Sequence, residues 1–359
     1  MRSLVRDAAA ALAAAACFLL PLLPGLPWLP GVMALLLWLS ILAGRSSPVD
    51  AAPFVAAGAG WLASFWWRGG GARPENMVDL ALAGPLLAAG AASLPEGRWQ
   101  NALCLGGLVS ALAAVAQAAA GQAVPPHWTA GVWTLGRAVG SFRNPNVLAA
   151  YLAGVTPLVA ARPWPRPARY AALALLALAS LAAASRGGWL AASAGLALFL
   201  WRGRSPRLPA LAGLLAAAAL LPWPPGQRLL AAAGADATVT ARFAIWARAL
   251  AAWCARPLAG WGARTPLDGM HPHSLLLEIA LQGGLFALAG FVPLAAGILA
   301  VLRKGPRGPL AAACAAAALA VYGLADSVLM QPSLAGLFWL SCGLALKPTP
   351  AETETRSAD

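Results

Sequence analysis

The side chains that could do chemistry stand in five short segments of an otherwise apolar chain. Arginine supplies a permanent cation, histidine exchanges protons near neutral pH, and aspartate can balance the charge of either. Together these residue types could bind an anion and accept a proton at one site. The segments are 140–146 with Arg143, Asn144 and Asn146, 185–188 with Arg186, 242–246 with Arg242, 271–274 with His273 and Ser274, and the single residue Asp326.

Each segment also has a purely structural explanation. Asn144 before a proline is ordinary chemistry for the start of a helix. Arg186 could sit in a plain turn and extend to a membrane surface, and Arg242 could open an amphipathic helix that lies on that surface. His273 could simply end a helix, and Asp326 could pair with an arginine for structural reasons alone.

The composition indicates a membrane protein with many helices. Of 359 residues 60% are hydrophobic and only 10% are charged, and the mean hydropathy is +0.70. A soluble domain of this size could not hide that much apolar surface. About 215 hydrophobic residues would suffice for about twelve spans of roughly 18 residues each. Soluble globular and disordered classes are excluded, and so is an outer-membrane barrel, because the apolar runs are continuous rather than alternating.

The predicted fold is therefore an all-α, polytopic transmembrane helical bundle of about twelve spans. It forms one domain over residues 1–346, with outer loops at 121–145 and 222–274, the longer of which contains short amphipathic helices. Residues 347–359 form a disordered tail. The predicted spans are 8–23, 29–43, 51–67, 77–94, 101–120, 146–161, 170–184, 188–201, 209–221, 275–301, 310–329 and 333–346.

The basic residues set the predicted orientation. With the N-terminus inside, fifteen Lys and Arg fall in inner segments and only five in short outer ones, as the positive-inside rule requires. Both termini are then cytoplasmic, and all five polar segments lie on the outer face. The net charge of +13 thus reflects topology and predicts no nucleic-acid partner.

In chain order, the polar segments resemble the O-antigen ligase and polymerase superfamily of bacterial envelope membrane proteins. The Phe-Gly-Asn-Pro-Asn motif of that family stands here at 142–146, with Arg143 in place of the small residue. A Ser-Arg-Gly turn follows at 185–187. The arginine that opens an amphipathic segment is Arg242, and a Pro-Leu-x-Gly-x-Gly segment occupies 257–262.

Two further motifs complete the resemblance, which covers about residues 130 to 346. A histidine with a small polar residue after it, then nine residues and a glycine, is represented by His273, Ser274 and Gly284, although asparagine is commoner at the second position. Ala287 replaces a later glycine. An acidic residue before an apolar Phe-Trp span is represented by Asp326.

The resemblance implies a glycosyltransferase at the periplasmic face of the bacterial inner membrane. It would move a saccharide from undecaprenyl diphosphate to an acceptor hydroxyl on lipid A core or another glycan. Arginine suits the departing diphosphate because it grips phosphate oxygens with two prongs, so Arg186 and Arg242 are the candidates, with Arg143 a third. His273 would be the general base, with Asp326 orienting or charge-balancing Arg186 or His273.

Asn144, Asn146 and Ser274 are assigned supporting roles in substrate binding. One base opposite the leaving group implies inversion at the anomeric carbon. A glycoside hydrolase normally needs two opposed carboxylates, and the outer acidic residues show no pairing in the sequence. No acidic cluster suggests a metal, so the reaction is expected to need neither a metal nor a cofactor.

Three other functions stay open at this point. A polymerase joining lipid-linked repeat units would use the same donor, so these motifs cannot separate it from a ligase. A multi-span transporter would place its ionisable groups near the bilayer midplane, whereas here they cluster at one surface. A purely structural envelope protein would not need this order of arginines and histidine.

The topology yields a first testable prediction. Reporters fused after Trp128 and Gly234 should be active on the periplasmic side, and reporters fused after Arg45 and Arg204 on the cytoplasmic side. Paired phosphatase and fluorescent-protein fusions measure this. A cytoplasmic reporter at Trp128 or Gly234 would place the polar segments on the wrong side for a periplasmic reaction.

Overall fold

The structure is a computed structural model in which the described residues are helical and contain no strand. The all-α part of the predicted fold class is thereby confirmed. Predicted spans 29–43 and 209–221 and residues 348–359 of the predicted tail lie outside the described residues, as do parts of both outer loops. The described residues are 11–12, 15–22, 52–67, 84–93, 98–121, 137–203, 237–262, 267, 270–304 and 307–347.

The longer helices within these ranges coincide with the apolar runs of the sequence. All but one lie on predicted spans, and the exception, α7, contains Arg242, around which the sequence predicted a helix. The helices are α1 (Ala52–Trp67), α2 (Gly84–Ser93), α3 (Arg98–Ala119), α4 (Pro145–Ala161), α5 (Arg166–Ala183), α6 (Arg186–Gly203), α7 (Ala237–Ala255), α8 (Leu275–Lys304), α9 (Arg307–Tyr322) and α10 (Pro332–Ala345).

Within the described residues, two helices are long and apolar enough to cross a membrane. They are Gln100–Ala119 within α3 and Leu275–Lys304, which is α8. Only 17% of the residues in the most apolar stretch of α8 are buried. An apolar surface of that length is suited to lipid rather than to water.

Helix α4 is the centre of the packed core, and it contacts α3, α5, α6, α9 and α10. The side chain of Asn144 caps its first turn by accepting a hydrogen bond from the N–H of Asn146, and Pro145 occupies a first-turn position where a missing N–H costs nothing. Fourteen of its residues are buried. Helix α4 can be apolar all round because neighbouring helices bury it on every side.

Small residues let the helices approach closely. Gly188 at the start of α6 lies against Ala149 of α4, where an added Cβ would stand 2.4 Å from the Ala149 methyl. Gly60 of α1 and Gly290 of α8 meet backbone to backbone in the same way. Close approach of this kind is how apolar helices associate without a hydrophobic driving force.

Helix α8 is broken near its first third. Gly284 has φ 62° and ψ −159°, a conformation that only glycine adopts readily. The loop 257–262 fills the break: the N–H groups of Trp261 and Gly262 donate to the carbonyls of Leu281 and Gln282. In return the N–H groups of residues 285 and 286 donate to the carbonyls of residues 257 and 258. The exchange satisfies backbone groups that the broken helix leaves without partners.

Helix α9 ends earlier than the predicted span 310–329. It stops at Tyr322, and after Gly323 the N–H groups of Leu324 and Ala325 bond only three residues back in tight turns. Asp326 was predicted to sit at the outer end of a span. It lies instead in the loop between α9 and α10, where a carboxylate can meet several donors at once.

The break in α8 yields a stability prediction. An Ala at position 284 would place its Cβ 2.3 Å from the carbonyl oxygen of Leu258, in addition to the backbone strain. We expect Gly284→Ala to destabilise the protein by roughly 2 kcal/mol or more, measured by thermal unfolding in detergent. Gly121→Ala is the matched control, since Gly121 also has φ 62° but nothing within 4 Å. Equal losses in the two variants would contradict the packing argument.

Candidate active site

The loop that carries His273 is held from two sides. Trp246 of α7 donates its indole N–H to the carbonyl of Pro272 at 2.8 Å. The N–H of Leu275, the first residue of α8, donates to the carbonyl of Gly323 just after α9 at 2.5 Å. The first bond ties α7 to the segment before α8, and the second ties the start of α8 to the end of α9. His273 has φ 48°, a strained value for a residue other than glycine.

Asp326 is the meeting point of the site. Its Oδ1 lies 2.9 Å from Nδ1 of His273 and accepts a bond from the N–H of Ser327, also at 2.9 Å. Its Oδ2 accepts from the hydroxyl of Tyr322 at 2.8 Å and lies 3.7 Å from Nη2 of Arg242. The carboxylate is thus shared by groups from three parts of the chain.

The ionisation of Asp326 decides the chemistry of His273. Burial alone would raise the pKa of Asp326, but the hydrogen bonds from His273 and Tyr322 outweigh it, so the pKa is lowered. An ionised carboxylate only accepts hydrogen bonds, so Nδ1 of the neutral imidazole must carry the proton. The lone pair then lies on Nε2. The side chain of His273 is 42% exposed, and Nε2 can act as a base toward a bound hydroxyl.

Arg242 lies in the first turns of α7, and a third of its side chain is exposed. Its contact with Asp326 is longer than a direct hydrogen bond. A guanidinium has five N–H donors, so Arg242 can keep this ion pair and still hold an anion. The helix is fixed against α8 by Trp246 and by the buried Ala249.

Arg186 begins α6 beside the same group of side chains. Ser185 is buried and accepts a bond from the N–H of Gly188 in the manner of a helix cap. An added Cβ on Gly187 would stand 3.5 Å from the ring of Tyr322. The turn therefore borders the residue that donates to Asp326. The two partners proposed for Asp326 were Arg186 and His273; the structure places His273 in direct contact and adds Arg242.

The supporting residues are spread more widely. Asn146 accepts a bond from Arg137 at 2.6 Å, and Ser274 is buried at the start of α8. Asn144 caps α4, which is the structural role that the sequence left open. Arg143 has an exposed side chain, and no described contact joins it to Asp326.

Two polar residues of the site were missed in the sequence. Arg137 is 8% exposed, and it was counted only as one of the outer charges. Glu278 is 1% exposed, and its Oε1 accepts a bond from the hydroxyl of Ser327, the residue whose N–H binds Asp326. The sequence showed no pairing among the outer carboxylates. In the structure Glu278 and Asp326 are linked through Ser327, which donates to both.

His271 was set aside in favour of His273, and it lies at the edge of the site. Its Nδ1 is 3.9 Å from Oε1 of Glu278. Burial and the nearby charge of His273 lower the pKa of His271. Among the described residues, no group of three or more His, Cys, Asp or Glu side chains could hold a metal ion.

The part of the chain that the structure describes is thus helical, with two candidate membrane spans, and a histidine, an aspartate and an arginine cluster at its helix ends and loops. Residues 171–292 match the family described as O-antigen ligase. The match confirms the predicted resemblance to the O-antigen ligase superfamily, whose members are membrane glycosyltransferase-like ligases and polymerases. It includes Arg186, Arg242 and His273, whereas Asn146 and Asp326 lie outside it. No curated protein matches the chain.

The hydrogen bonds to Asp326 yield a pH-dependent prediction. Tyr322→Phe removes one donor to a charged acceptor and should cost about 1 to 2 kcal/mol at neutral pH. Because the folded-state pKa of Asp326 lies below that of an unfolded aspartate, the interaction is complete above about pH 4 and is lost as the pH falls further. Thermal unfolding between pH 3 and 7 measures the effect.

The matched control for that experiment is Tyr151→Phe. The hydroxyl of Tyr151 is buried in α4 and has no hydrogen-bond partner in the part of the chain that the structure describes. Its removal should leave stability nearly unchanged or raise it slightly at every pH. A Tyr322→Phe loss that stays constant down to pH 3 would show that Asp326 is not the group concerned.

Proposed function

We propose that the protein is an O-antigen ligase-like glycosyltransferase. It moves a saccharide chain from undecaprenyl diphosphate to an acceptor hydroxyl, on lipid A core or another glycan, with inversion and without a metal. The observation that supports this most directly is that His273, through Nδ1, and Arg242 contact the same carboxylate, that of Asp326, which leaves Nε2 of His273 available as a base.

The leaving diphosphate needs compensation of its developing negative charge more than it needs an acid. Preorganised cations provide this best in a site with little water. Arg242 is partly exposed and only loosely paired, so its remaining N–H groups can bind phosphate oxygens in two-pronged fashion. Arg186, at the start of α6, would hold the other side of the diphosphate, with Arg143 as a further cation.

The acceptor hydroxyl is a weak nucleophile that must lose its proton as the new bond forms. Nε2 of His273 takes that proton, and the ionised Asp326 stabilises the imidazolium that results. The hydroxyl oxygen bonds to the anomeric carbon while the bond from that carbon to the diphosphate breaks. A single base on the face opposite the leaving group accounts for the proposed inversion.

The proposed topology follows from the same assignment. The chain would form a single domain of about twelve spans over residues 1–346 in the bacterial inner membrane. Both termini would face the cytoplasm, and the site would face the periplasm. The support is that all the proposed groups come from helix ends and loops, namely the start of α6, the first turns of α7, the segment before α8 and the loop after α9.

The experiment is reconstitution of the purified protein in liposomes with a lipid-linked oligosaccharide and defined acceptors. His273→Ala should lower kcat by about two to four orders of magnitude through loss of the base. Arg186→Ala and Arg242→Ala should lower it by roughly two to three orders through loss of charge stabilisation. Arg186→Lys should also be impaired, because an ammonium cannot form the two-pronged contact.

Arg248→Ala is the matched control for Arg242, because Arg248 is an exposed arginine on the same helix. It should retain activity, and so should wild-type protein treated with EDTA. Full activity in all three alanine variants would refute the site, and loss of turnover with EDTA would refute metal independence.

The product of the reaction separates the candidate functions. Transfer to lipid A core marks a ligase, and extension of a second lipid-linked unit marks a polymerase. Movement of an unaltered saccharide across the bilayer would instead mark a transporter.

A further inference from the structure

Arg137 is a buried cation that joins three segments of the site. Its Nε donates to the carbonyl of Ala183 at 2.8 Å, and its Nη2 donates to Oδ1 of Asn146 at 2.6 Å. Its charge also acts on the phenol of Tyr322. One guanidinium thereby connects the segment before α4, the first turn of α4 and the end of α5.

The contact with Ala183 fixes the turn that presents Arg186. The last carbonyls of a helix have no partners within the helix. At the end of α5, residues 137 and 138 supply donors for two of these carbonyls. The side chain of Arg137 donates to the carbonyl of Ala183, and the backbone N–H of Ala138 donates to the carbonyl of Ala182 at 3.0 Å. A cation is also favoured there by the helix dipole.

The contact with Asn146 fixes the orientation of its amide. A guanidinium only donates, so the atom that faces Arg137 must be the oxygen. The NH₂ group is turned away, and it donates to no residue in the described part of the chain. Asn146 lies one turn before Ala149, whose methyl contacts Gly188, so both residues lie on the side of α4 that faces the start of α6.

We propose that Asn146 donates a hydrogen bond from its amide nitrogen to the diphosphate of the lipid-linked donor, and that Arg137 is the positioning residue that holds this orientation. The inference rests on the proposed function and deepens it by assigning a neutral donor to the anion. Asn146 lies on the side of α4 that faces the start of α6, where Arg186 stands, and a bond from its NH₂ group to an anionic oxygen is charge-assisted.

The decisive variant is Asn146→Asp. It keeps an oxygen for Arg137 and replaces the NH₂ donor with an oxygen that can only accept. The fold is therefore retained, and the pairing with Arg137 becomes an ion pair. We expect a rise of roughly tenfold or more in the KM for the donor and in the inhibition constant of inorganic pyrophosphate, the size expected for a lost charge-assisted hydrogen bond. The KM for the acceptor should stay unchanged, and the melting temperature should not fall.

Arg137→Lys tests the positioning role without removing the charge. An ammonium cannot reach both the carbonyl of Ala183 and the amide of Asn146 with the fixed geometry of a guanidinium. We expect a lower kcat/KM for the donor and an unchanged KM for the acceptor. The matched control is Gln100→Glu: Gln100 accepts a bond from Arg162 near the opposite end of α4, so the same exchange of amide for carboxylate is made far from the site. It should leave the donor KM unchanged.

The outcomes separate the inference from the proposed function. Pyrophosphate binding is also measured directly by calorimetry, which does not require transfer. If Asn146→Asp keeps the donor KM and pyrophosphate affinity within twofold of the wild type, Asn146 is only an acceptor for Arg137 and the inference is wrong. If the wild type transfers no saccharide but binds pyrophosphate, and Asn146→Asp does not, the proposed reaction fails while the anion contact stands.

Discussion

The arrangement of the site depends on one ionised carboxylate in a mostly apolar protein. A buried carboxylate is costly unless hydrogen bonds and opposite charges surround it. Asp326 meets this requirement with His273, Tyr322, Arg242 and the N–H of Ser327. These groups come from α7, from the segment before α8 and from the end of α9 with its following loop, so satisfying one charge brings three parts of the chain together. Removal of that charge would leave the donors without a common acceptor.

The break in α8 also holds parts of the site together, in this case through backbone hydrogen bonds. Irregular backbone in an apolar environment persists only where other groups satisfy it, and the loop 257–262 does so around Gly284. That loop follows α7 directly, so the contact fixes the far end of α7 against α8, while Trp246 fixes the near end through Pro272. The helix that carries Arg242 is thus held at two points relative to His273. The segment 257–262 and Gly284 belong to two different family motifs. The backbone hydrogen bonds between them give both motifs one structural explanation.

Much of the helical layout could be predicted from the sequence, because continuous apolar runs are a local signal. The group of His273, Arg186, Arg242 and Asp326 could be proposed because these residues fall on one predicted face and follow the order of the family motifs. The partner of Asp326 could not be chosen, since contacts across tens of residues leave no periodic signal. Arg137 was missed for the same reason: a single arginine in a loop has the same sequence signature whether it faces water or ties helices together.

Under the proposed function, the charges of the site change in the order that the reaction needs. Before reaction, Asp326 offsets Arg242 and lies near a neutral His273, so the carboxylate would repel a diphosphate were it not covered by donors. When Nε2 takes the acceptor proton, the imidazolium becomes the natural partner of Asp326. The contact of Asp326 with Arg242, already long at 3.7 Å, then weakens, so Arg242 offsets more of the negative charge that develops on the diphosphate. Proton uptake by His273 and departure of the diphosphate are thus coupled through the carboxylate of Asp326. Asp326 would orient the base and would also shift its charge balance from Arg242 to His273 during the reaction.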